Sequence, residues 1–370
     1  MTRHFPLLAL ILLGMNIAGA QVPIPKADSV SSIRGLSLAG YPYIFYSPET
    51  EFALGGALVA TYRTTDSLKA KPSNFTLSGY YSVKSQYDIY FVPEAFFEEG
   101  KYYLTGFIDY GRYVDKFWGI GNDVPDIPEA PYVRTFLAVN VDFQVRIVEE
   151  LKIGLNYDFN TTTMTDKQAN PFLLADAVTG SNGGLSSGLG ISLSYDKRDN
   201  VFWPSAGLFY KLNTVQCIKW LGSDFEFNRI IIDLRQYIGL GEGSVLGVNV
   251  YGNRVAGPTP FYQMPLLGGG YIMRGYYLGR YRDNYYVAAQ AEYRWMFARR
   301  WGVIAFIGAG DVAAEMSGFQ IKYFKPNAGF GLRFALDPEE KLNVRVDFSY
   351  GRDAQGNPIK GIYFNVKEAF

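Results

Sequence analysis

The residues with the strongest chemical character lie between Gly268 and Asn284, in the run GGGYIMRGYYLGRYRDN. Arg274, Arg280 and Arg282 are interleaved there with four tyrosines. Guanidinium groups beside aromatic rings can bind nucleic acid, pair with buried carboxylates or lie solvated in a loop. The chain carries 35 basic and 35 acidic residues, so its overall charge gives no reason to expect nucleic acid as a partner.

Residues that usually carry catalysis or bind metals are scarce. His4, in the N-terminal segment, is the single histidine, and Cys217 is the single cysteine. A single cysteine excludes an intramolecular disulfide. Once the N-terminal segment is removed, the chain has no histidine, which excludes Ser-His hydrolysis and histidine proton relays and disfavours zinc and haem sites. We therefore expect no catalytic residue, no metal site and no cofactor, and we expect the protein not to be an enzyme.

The first twenty residues have the form of a secretory signal peptide. Arg3 and His4 supply a basic start, residues 5–15 an apolar core, and residues 18–20 a small-residue cleavage site. The apolar run is too short to span a bilayer as a helix. The sequence therefore predicts a signal peptide over residues 1–20 and an exported mature protein.

Short segments with alternating polarity predict β-strands in the rest of the chain. In Leu342–Tyr350 the polar residues Asn343, Arg345, Asp347 and Ser349 share one face and hydrophobic residues the other. In a soluble protein the charged face would be solvated, whereas in a lipid-embedded barrel it would line the lumen. The 29 tyrosines and 27 phenylalanines are a heavy load for a soluble sandwich, and together with the signal peptide they favour the barrel.

These runs predict an all-β fold, namely a transmembrane antiparallel β-barrel of about 16 strands. Sixteen is an even number, as expected for a bacterial outer-membrane barrel formed by one chain. A short periplasmic leader over residues 21–34 would precede a single barrel domain over residues 35–370. Pro42 lies inside the first strand and weakens it, because proline lacks the N–H that a central strand needs. The predicted strands are 36–46, 51–63, 74–84, 86–97, 101–112, 132–145, 149–160, 185–197, 206–217, 224–238, 243–254, 284–297, 300–310, 325–336, 340–351 and 359–370.

The last predicted strand indicates the orientation of the barrel. Ile362, Phe364, Val366 and the terminal Phe370 alternate onto one face, and an aromatic C-terminus resembles the signal that barrel-assembly machinery recognises. With this end in the periplasm, the short turns are periplasmic. The longer connections, 113–131, 161–184, 255–283 and 311–324, are then extracellular.

The run MRGYYLGRYRDN resembles the arginine-glycine-aromatic signature of the BamA/TamA superfamily, also called bacterial surface antigens, with Arg274, Gly275 and Tyr276 as its core. The resemblance implies a barrel in the outer membrane of a Gram-negative bacterium, with this long extracellular loop folded back into the lumen. Further stretches that resemble the family are SYDKRDNVFWPSAG (194–207), FWGIGND (117–123), YSPETEFALGG (46–56), GFGLRF (329–334) and NVKEAF (365–370).

In this family the loop arginine pairs with acids on the inner faces of the two strands that follow it. Alternation directs Glu292 inward, so the resemblance implies an Arg274–Glu292 pair. The second acid is expected in a Phe-x-Asp-x-Gly motif, where this chain has Phe306 and Gly310 but Gly308 in place of the aspartate. We therefore expect only half of the usual arginine clamp. Arg280 and Arg282 remain open as lumenal ion-pair partners or as solvated charges.

Larger relatives in this family carry periplasmic polypeptide-transport-associated domains, and only residues 21–34 precede the predicted barrel. The resemblance implies a barrel that assists insertion or translocation of protein, or of lipid, through a weak seam between the first and last strands. Outer-membrane lipids and periplasmic or outer-membrane proteins are the expected partners. The alternative is a non-catalytic plugged pore, or a structural membrane subunit of an envelope complex.

Overall fold

The computed structural model describes residues 35–63, 73–124, 131–174, 178–337, 341–353, 355–366 and 368–370. The predicted signal peptide and leader lie outside the described residues. Sixteen antiparallel strands close into one barrel, which confirms the predicted fold and strand number. The barrel strands are β1 Gly35–Ser47, β2 Glu51–Arg63, β3 Ser73–Ser82, β4 Tyr87–Phe97, β5 Tyr102–Lys116, β6 Pro131–Val148, β7 Leu151–Asp166, β8 Gly183–Asp196, β9 Gly207–Cys217, β10 Phe227–Gly241, β11 Ser244–Ala256, β14 Tyr285–Met296, β15 Trp301–Ala313, β16 Lys325–Asp337, β17 Leu342–Arg352 and β18 Pro358–Val366; β12 Leu266–Leu267 and β13 Tyr281–Arg282 pair separately.

The two faces of the barrel wall differ as the period-two alternation predicts. Leu54, Leu155 and Ile307 are more than 60% exposed and face outward, where lipid would cover them. On the inner face, Glu292 and Arg294 are fully buried. The polar face predicted for β17 is also confirmed as lumenal, because Asn343, Arg345, Asp347 and Ser349 are all buried.

The four longest connections lie at one end of the barrel, which also carries the short turns 48–50 and 83–86, and the opposite end has short turns and one ten-residue connection, 197–206. The long connections follow β5, β7, β11 and β15, as predicted. The connection 257–284, here called the lumen loop, contains β12 and β13, two short strands that the sequence pattern did not predict. A single turn of α-helix, α1 Pro171–Leu174, lies in the loop after β7. None of the helices in the described ranges is long and apolar enough to cross a membrane.

The barrel closes through a short seam between its first and last strands. Among the described residues, the register between β1 and β18 consists of the single pair Tyr46↔Phe364. By contrast, β17 and β18 form nine consecutive pairs, and β1 is paired with β2 along its whole length. Pro42 lies in this first strand, opposite Gly56 of β2. The edge of β1 that faces β18 is therefore almost free of strand pairing.

The prediction for the C-terminal residues was wrong. We expected the last strand to run to residue 370, with Phe370 on the same face as Ile362, Phe364 and Val366. Instead β18 ends at Val366, and Phe370 is buried inside the periplasmic end of the barrel against Tyr237 and Val245. Ile362 does face outward, and Phe364 lies at the seam. The physical reason is that charged side chains inside the barrel form hydrogen bonds with residues 368–370, whereas the outer face of the barrel has no such groups.

Candidate functional site

The lumen loop is shaped by a short hairpin and by glycines at its tip. Leu266 pairs with Arg282 and Leu267 with Tyr281, which closes the base of the tip. Gly268 has φ +112°, and a Cβ there would lie 2.5 Å from the carbonyl oxygen of Tyr277, so only glycine fits. The backbone therefore turns tightly at this glycine and approaches that of Tyr277 closely.

Arg274 projects from the loop tip into a fully buried ion cluster. Its Nη2 donates to Glu292 Oε2 at 2.7 Å, and its Nη1 donates to Asp347 Oδ2 at 2.8 Å. The guanidinium carbon lies 3.6 Å from the centre of the Phe306 ring, a cation–π contact. The predicted Arg274–Glu292 pair is present, and both side chains are completely buried.

The expectation of a halved clamp was wrong, because Asp347 of β17 supplies the second carboxylate. An aspartate at position 308 would be crowded, since a Cβ on Gly308 would lie 2.6 Å from Asn327 Oδ1 and 3.0 Å from the carbonyl oxygen of Ala289. Asn327 uses that space to donate its Nδ2 to the carbonyl oxygen of Arg274 at 3.0 Å. The second carboxylate is therefore supplied by β17 rather than by β15, and an amide on β16 holds the backbone of the loop tip.

Gly310, the last residue of the same motif, also has a packing role. A Cβ at this position would lie 3.1 Å from Cγ of Met273 and 3.0 Å from Cβ of Ala288. Met273 is fully buried and has φ +57°, an unusual conformation for a side-chain-bearing residue. The small residue in β15 thus gives the strained loop tip room to approach the barrel wall.

Further arginines extend the cluster into a network across the lumen. Arg294 donates to Glu292 at 2.8 Å, and Arg333 and Arg345 donate to Asp347 at 2.6 and 2.5 Å. Arg333 also donates to Glu368 at 2.8 Å. Each guanidinium is buried against at least one carboxylate, which compensates the large cost of removing a lone charge from water. The described members of this lumenal charge network are Arg274, Arg294, Arg333, Arg345, Glu292, Asp347 and Glu368.

The sequence reasoning missed Asp347, Arg333, Arg345 and Glu368 as members of this network. The alternation of β17 already directed Asp347 and Arg345 inward. The alternation does not show how far along the barrel axis each side chain lies, and so it does not show which side chains are level with the tip of the lumen loop. That height depends on the stagger between strands, which local periodicity does not encode.

Tyr276, the aromatic residue of the signature, ties the loop to β16 and β17. Its hydroxyl lies 2.6 Å from the carbonyl oxygen of Pro326 and 2.7 Å from that of Arg352, either of which can accept its proton. The same hydroxyl accepts the backbone N–H of Arg352 at 3.0 Å. The ring is fully buried, so its removal would leave both a cavity and unpaired carbonyl groups.

The lumen loop contacts both sides of the seam. The N–H of Gly275 donates to the Tyr363 hydroxyl on β18 at 3.1 Å. The N–H of Leu278 donates to Oε1 of Glu49, in the turn between β1 and β2, at 2.9 Å. Burial raises the pKa of the Glu49 carboxyl, and the hydrogen bond from Leu278 opposes that rise. The loop therefore bridges the first and last strands where they scarcely pair with each other.

Arg282 and Arg280 are buried rather than solvated. Arg282 donates to backbone carbonyl oxygens, among them that of Gly279 at 3.0 Å and that of Phe261 at 3.2 Å. Its guanidinium carbon lies 4.9 Å from the centre of the Phe117 ring. Arg280 donates to the carbonyl oxygen of Val124 at 3.3 Å. These contacts fasten the base of the lumen loop to the extracellular loop that follows β5.

Comparisons with known proteins identify the family of the chain and show proteins of similar fold. A family model described as the Omp85 superfamily domain matches residues 71–370. The fold is similar to that of BamA from Haemophilus ducreyi lacking POTRA domains 1–3, with a TM-score of 0.62 and 14% identity, over 90% of this chain and 70% of that one.

Two CdiB structures are also similar in fold. CdiB from Acinetobacter baumannii gives a TM-score of 0.57 at 11% identity, over 89% of this chain and 59% of that chain. CdiB from Escherichia coli gives 0.56 at 12% identity, over 89% of this chain and 62% of that chain. This chain thus spans less than two thirds of either CdiB protein. A search of curated proteins found no match.

Proposed function

The chain belongs to the Omp85 superfamily, and on that premise we propose that it assists the insertion or translocation of polypeptides at the outer membrane through the seam between β1 and β18. Membership of the family implies the bacterial outer membrane as its location. The proposal includes lipid as an alternative cargo, periplasmic or outer-membrane proteins as partners, and no enzymatic activity.

The observation that carries the proposal is the single register pair across the seam. Tyr46↔Phe364 is the one strand pairing between β1 and β18 among the described residues, so residues 35–45 present backbone N–H and C=O groups on a nearly free edge. Such an edge can pair with an incoming strand. Opening the barrel here would break far fewer backbone hydrogen bonds than opening it at any neighbouring strand pair, such as β17 with β18.

The lumen loop supports the same role because it holds the two seam strands by side-chain contacts. Gly275 is bonded to Tyr363 of β18, and Leu278 to Glu49 beside β1. The barrel therefore stays closed without a continuous seam. We infer that the loop keeps β1 and β18 aligned while their backbone edges remain available.

A reversible crosslink across the seam tests the proposal. The variant Tyr46→Cys/Phe364→Cys, in a Cys217→Ser background, joins the two residues that face each other in the seam. The matched control Tyr350→Cys/Lys360→Cys joins a register pair of β17 and β18 instead. Each protein is reconstituted in vesicles, and the assay follows how fast an unfolded outer-membrane barrel protein becomes resistant to protease.

We expect oxidation to abolish the acceleration of client insertion in the seam variant, and a thiol reductant to restore it. The control variant should accelerate insertion equally when oxidised and reduced. Equal acceleration by the oxidised and reduced seam variant would show that polypeptides do not enter the membrane through this seam.

The plugged pore is a second candidate, and the lumenal charge network is the observation that favours it. Arg274 brings the loop tip into contact with carboxylates on β14 and β17, so the loop occupies the lumen. Planar-bilayer recording distinguishes the candidates. A pore whose loop can move should give currents that open and close, whereas the insertion proposal expects the intact protein to conduct little.

A further inference from the structure

The connection 197–206 between β8 and β9, here called the periplasmic turn, inserts a tryptophan into the lumen. Trp203 is buried and packs in one cluster with Ile304 and Phe306, whose side chains face the lumen from β15. Because β10, β11 and β14 lie between β9 and β15 in the sheet, the turn must reach across part of the barrel mouth to make these contacts. The periplasmic turn therefore enters the lumen from the end opposite to the lumen loop.

Side chains within the periplasmic turn hold it in this shape. Asn200 Oδ1 accepts the backbone N–H groups of Phe202 and Trp203, each at 2.8 Å. Asp199 Oδ1 accepts the backbone N–H of Ser205 at 2.8 Å. Asp199 and Asn200 are the adjacent acid and amide of the stretch SYDKRDNVFWPSAG. Local hydrogen bonds of this kind fix a turn without help from neighbouring strands, so this stretch by itself presents Trp203 to the lumen.

A packing path joins Trp203 to the arginine at the tip of the lumen loop. Since β15 begins at the periplasmic end, Ile304 lies one inward-facing position nearer the periplasm than Phe306. Trp203 shares a cluster with both of them, and the guanidinium carbon of Arg274 lies 3.6 Å from the centre of the Phe306 ring. A cavity in place of Trp203 would therefore remove packing beneath the ring on which Arg274 lies.

A second path from Trp203 runs through charged groups. The guanidinium carbon of Arg294 lies 5.4 Å from the centre of a Trp203 ring, a cation–π contact. Arg294 donates to Glu292 Oε1 at 2.8 Å, and Arg274 donates to Oε2 of the same carboxylate at 2.7 Å. Trp203 thus contacts one of the two arginines that hold Glu292, so its position affects the carboxylate that Arg274 binds.

Open space lies on both flanks of the periplasmic turn. A cavity of about 560 Å³ separates residues 196–199 from the turns 98–101 and 149–150. Another of about 630 Å³ lies between Trp203 and the turns 242–243 and 297–300. Val201, at the tip of the periplasmic turn, is 63% exposed. The turn therefore has room to move toward the periplasm without displacing a barrel strand.

We propose that the periplasmic turn is a brace for the lumen loop, in which Trp203 is a positioning residue for Arg274. While Trp203 lies in the lumen, Phe306 and Arg294 are held where they complete the surroundings of the Arg274 guanidinium. When the turn withdraws toward the periplasm, both lose a packing partner and the loop tip is released more often. The brace thus couples the periplasmic mouth to a loop that enters from the extracellular end. It goes beyond the proposed function, because it makes no use of the seam.

Substitution of Trp203 tests the brace in purified full-length protein in vesicles, with chymotryptic cleavage within residues 268–284 as the readout. We expect Trp203→Ala to raise the cleavage rate on the order of tenfold, since it removes the aromatic contact of Arg294 and packing beside Phe306. Trp203→Phe keeps a ring in the lumen and should restore most of the protection. The matched control Trp220→Ala removes a tryptophan that is 74% exposed in the connection between β9 and β10, and it should leave the rate unchanged.

A double-mutant cycle separates positioning from a general loss of stability. When Trp203→Ala is added to Arg274→Ala, we expect the cleavage rate to change by less than about twofold, because the contact that the brace supports is already lost. Coupling between two sites is reciprocal. Arg274→Ala should therefore also speed tryptic cleavage after Lys197 and Arg198 in the periplasmic turn.

The brace is refuted if Trp203→Ala and Trp220→Ala give cleavage rates within about twofold of each other in protein that migrates as a folded barrel on unheated gels. It is also refuted if the effects of Trp203→Ala and Arg274→Ala multiply, since independent losses of stability add as free energies. Should Trp203→Ala fail to fold, Trp203→Leu keeps apolar volume without a ring and undergoes the same two tests. None of these measurements uses a client protein, so a failure of the proposed insertion function leaves their results intact.

Discussion

Replacement of Arg274 by alanine should release the lumen loop from the barrel interior. In the folded protein the guanidinium is fully buried, bonded to Glu292 and Asp347, and stacked on Phe306. Removing one partner of a buried ion pair typically costs ~3–5 kcal/mol, because the other charge is left without compensation.

The local network moderates that cost. Without Arg274, Glu292 would still accept a hydrogen bond from Arg294 at 2.8 Å. Asp347 would still accept hydrogen bonds from Arg333 at 2.6 Å and Arg345 at 2.5 Å, so neither carboxylate would lose all of its partners. We therefore expect the lower end of the range, about 3 kcal/mol, which corresponds to a rise on the order of a hundredfold in the open population of the loop.

Chymotryptic cleavage within residues 268–284 measures this population, because the tip contains four tyrosines and cleavage follows the open fraction when opening is fast. The matched control is Arg235→Ala, whose guanidinium pairs with Asp233 on its own strand at 2.5 Å and is 26% exposed. Cleavage of Arg274→Ala at a rate within about twofold of the control would refute the buried-pair reasoning, since that factor is below ~0.5 kcal/mol.

Three further outcomes follow from the structure. Gly308→Asp, which restores the usual acid of the family motif, should lower the free energy of unfolding in urea by ~1–3 kcal/mol, because a side chain there collides with Asn327; an unchanged midpoint would contradict this packing. Burial acts to raise the pKa of Asp199, but hydrogen bonds from Ser205 and Ala206 outweigh it and hold that pKa below the ordinary 3.8. The stabilisation is therefore present above about pH 4 and lost as the pH falls through the lowered pKa, so Asp199→Asn should speed proteolysis of the 197–206 turn at neutral pH and lose that effect in strong acid. Deletion of residues 268–284 should raise bilayer conductance, and an unchanged current would show that the loop does not obstruct the lumen.

The sequence alone determined the fold class, the strand number and the face of most barrel residues. Alternation is a local property, and a barrel wall between lipid and a polar lumen makes its two faces chemically opposite. Glu292, Asp347 and Arg294 could therefore be directed inward without knowledge of any neighbour. The inward position of the loop that carries Arg274 and Gly275 was implied by the resemblance to the family signature.

Only the tertiary structure decided which charges meet. Arg274 meets Asp347, 73 residues further along the chain, because the barrel is closed and its strands are staggered, and Asn327 occupies the space beside position 308. The inward turn of Phe370 was equally hidden, since its alternation continued that of Ile362 and Phe364. Periodicity assigns a side chain to a face, but a buried charge is stabilised by partners from several strands, and their heights in the barrel are set by the closed sheet as a whole.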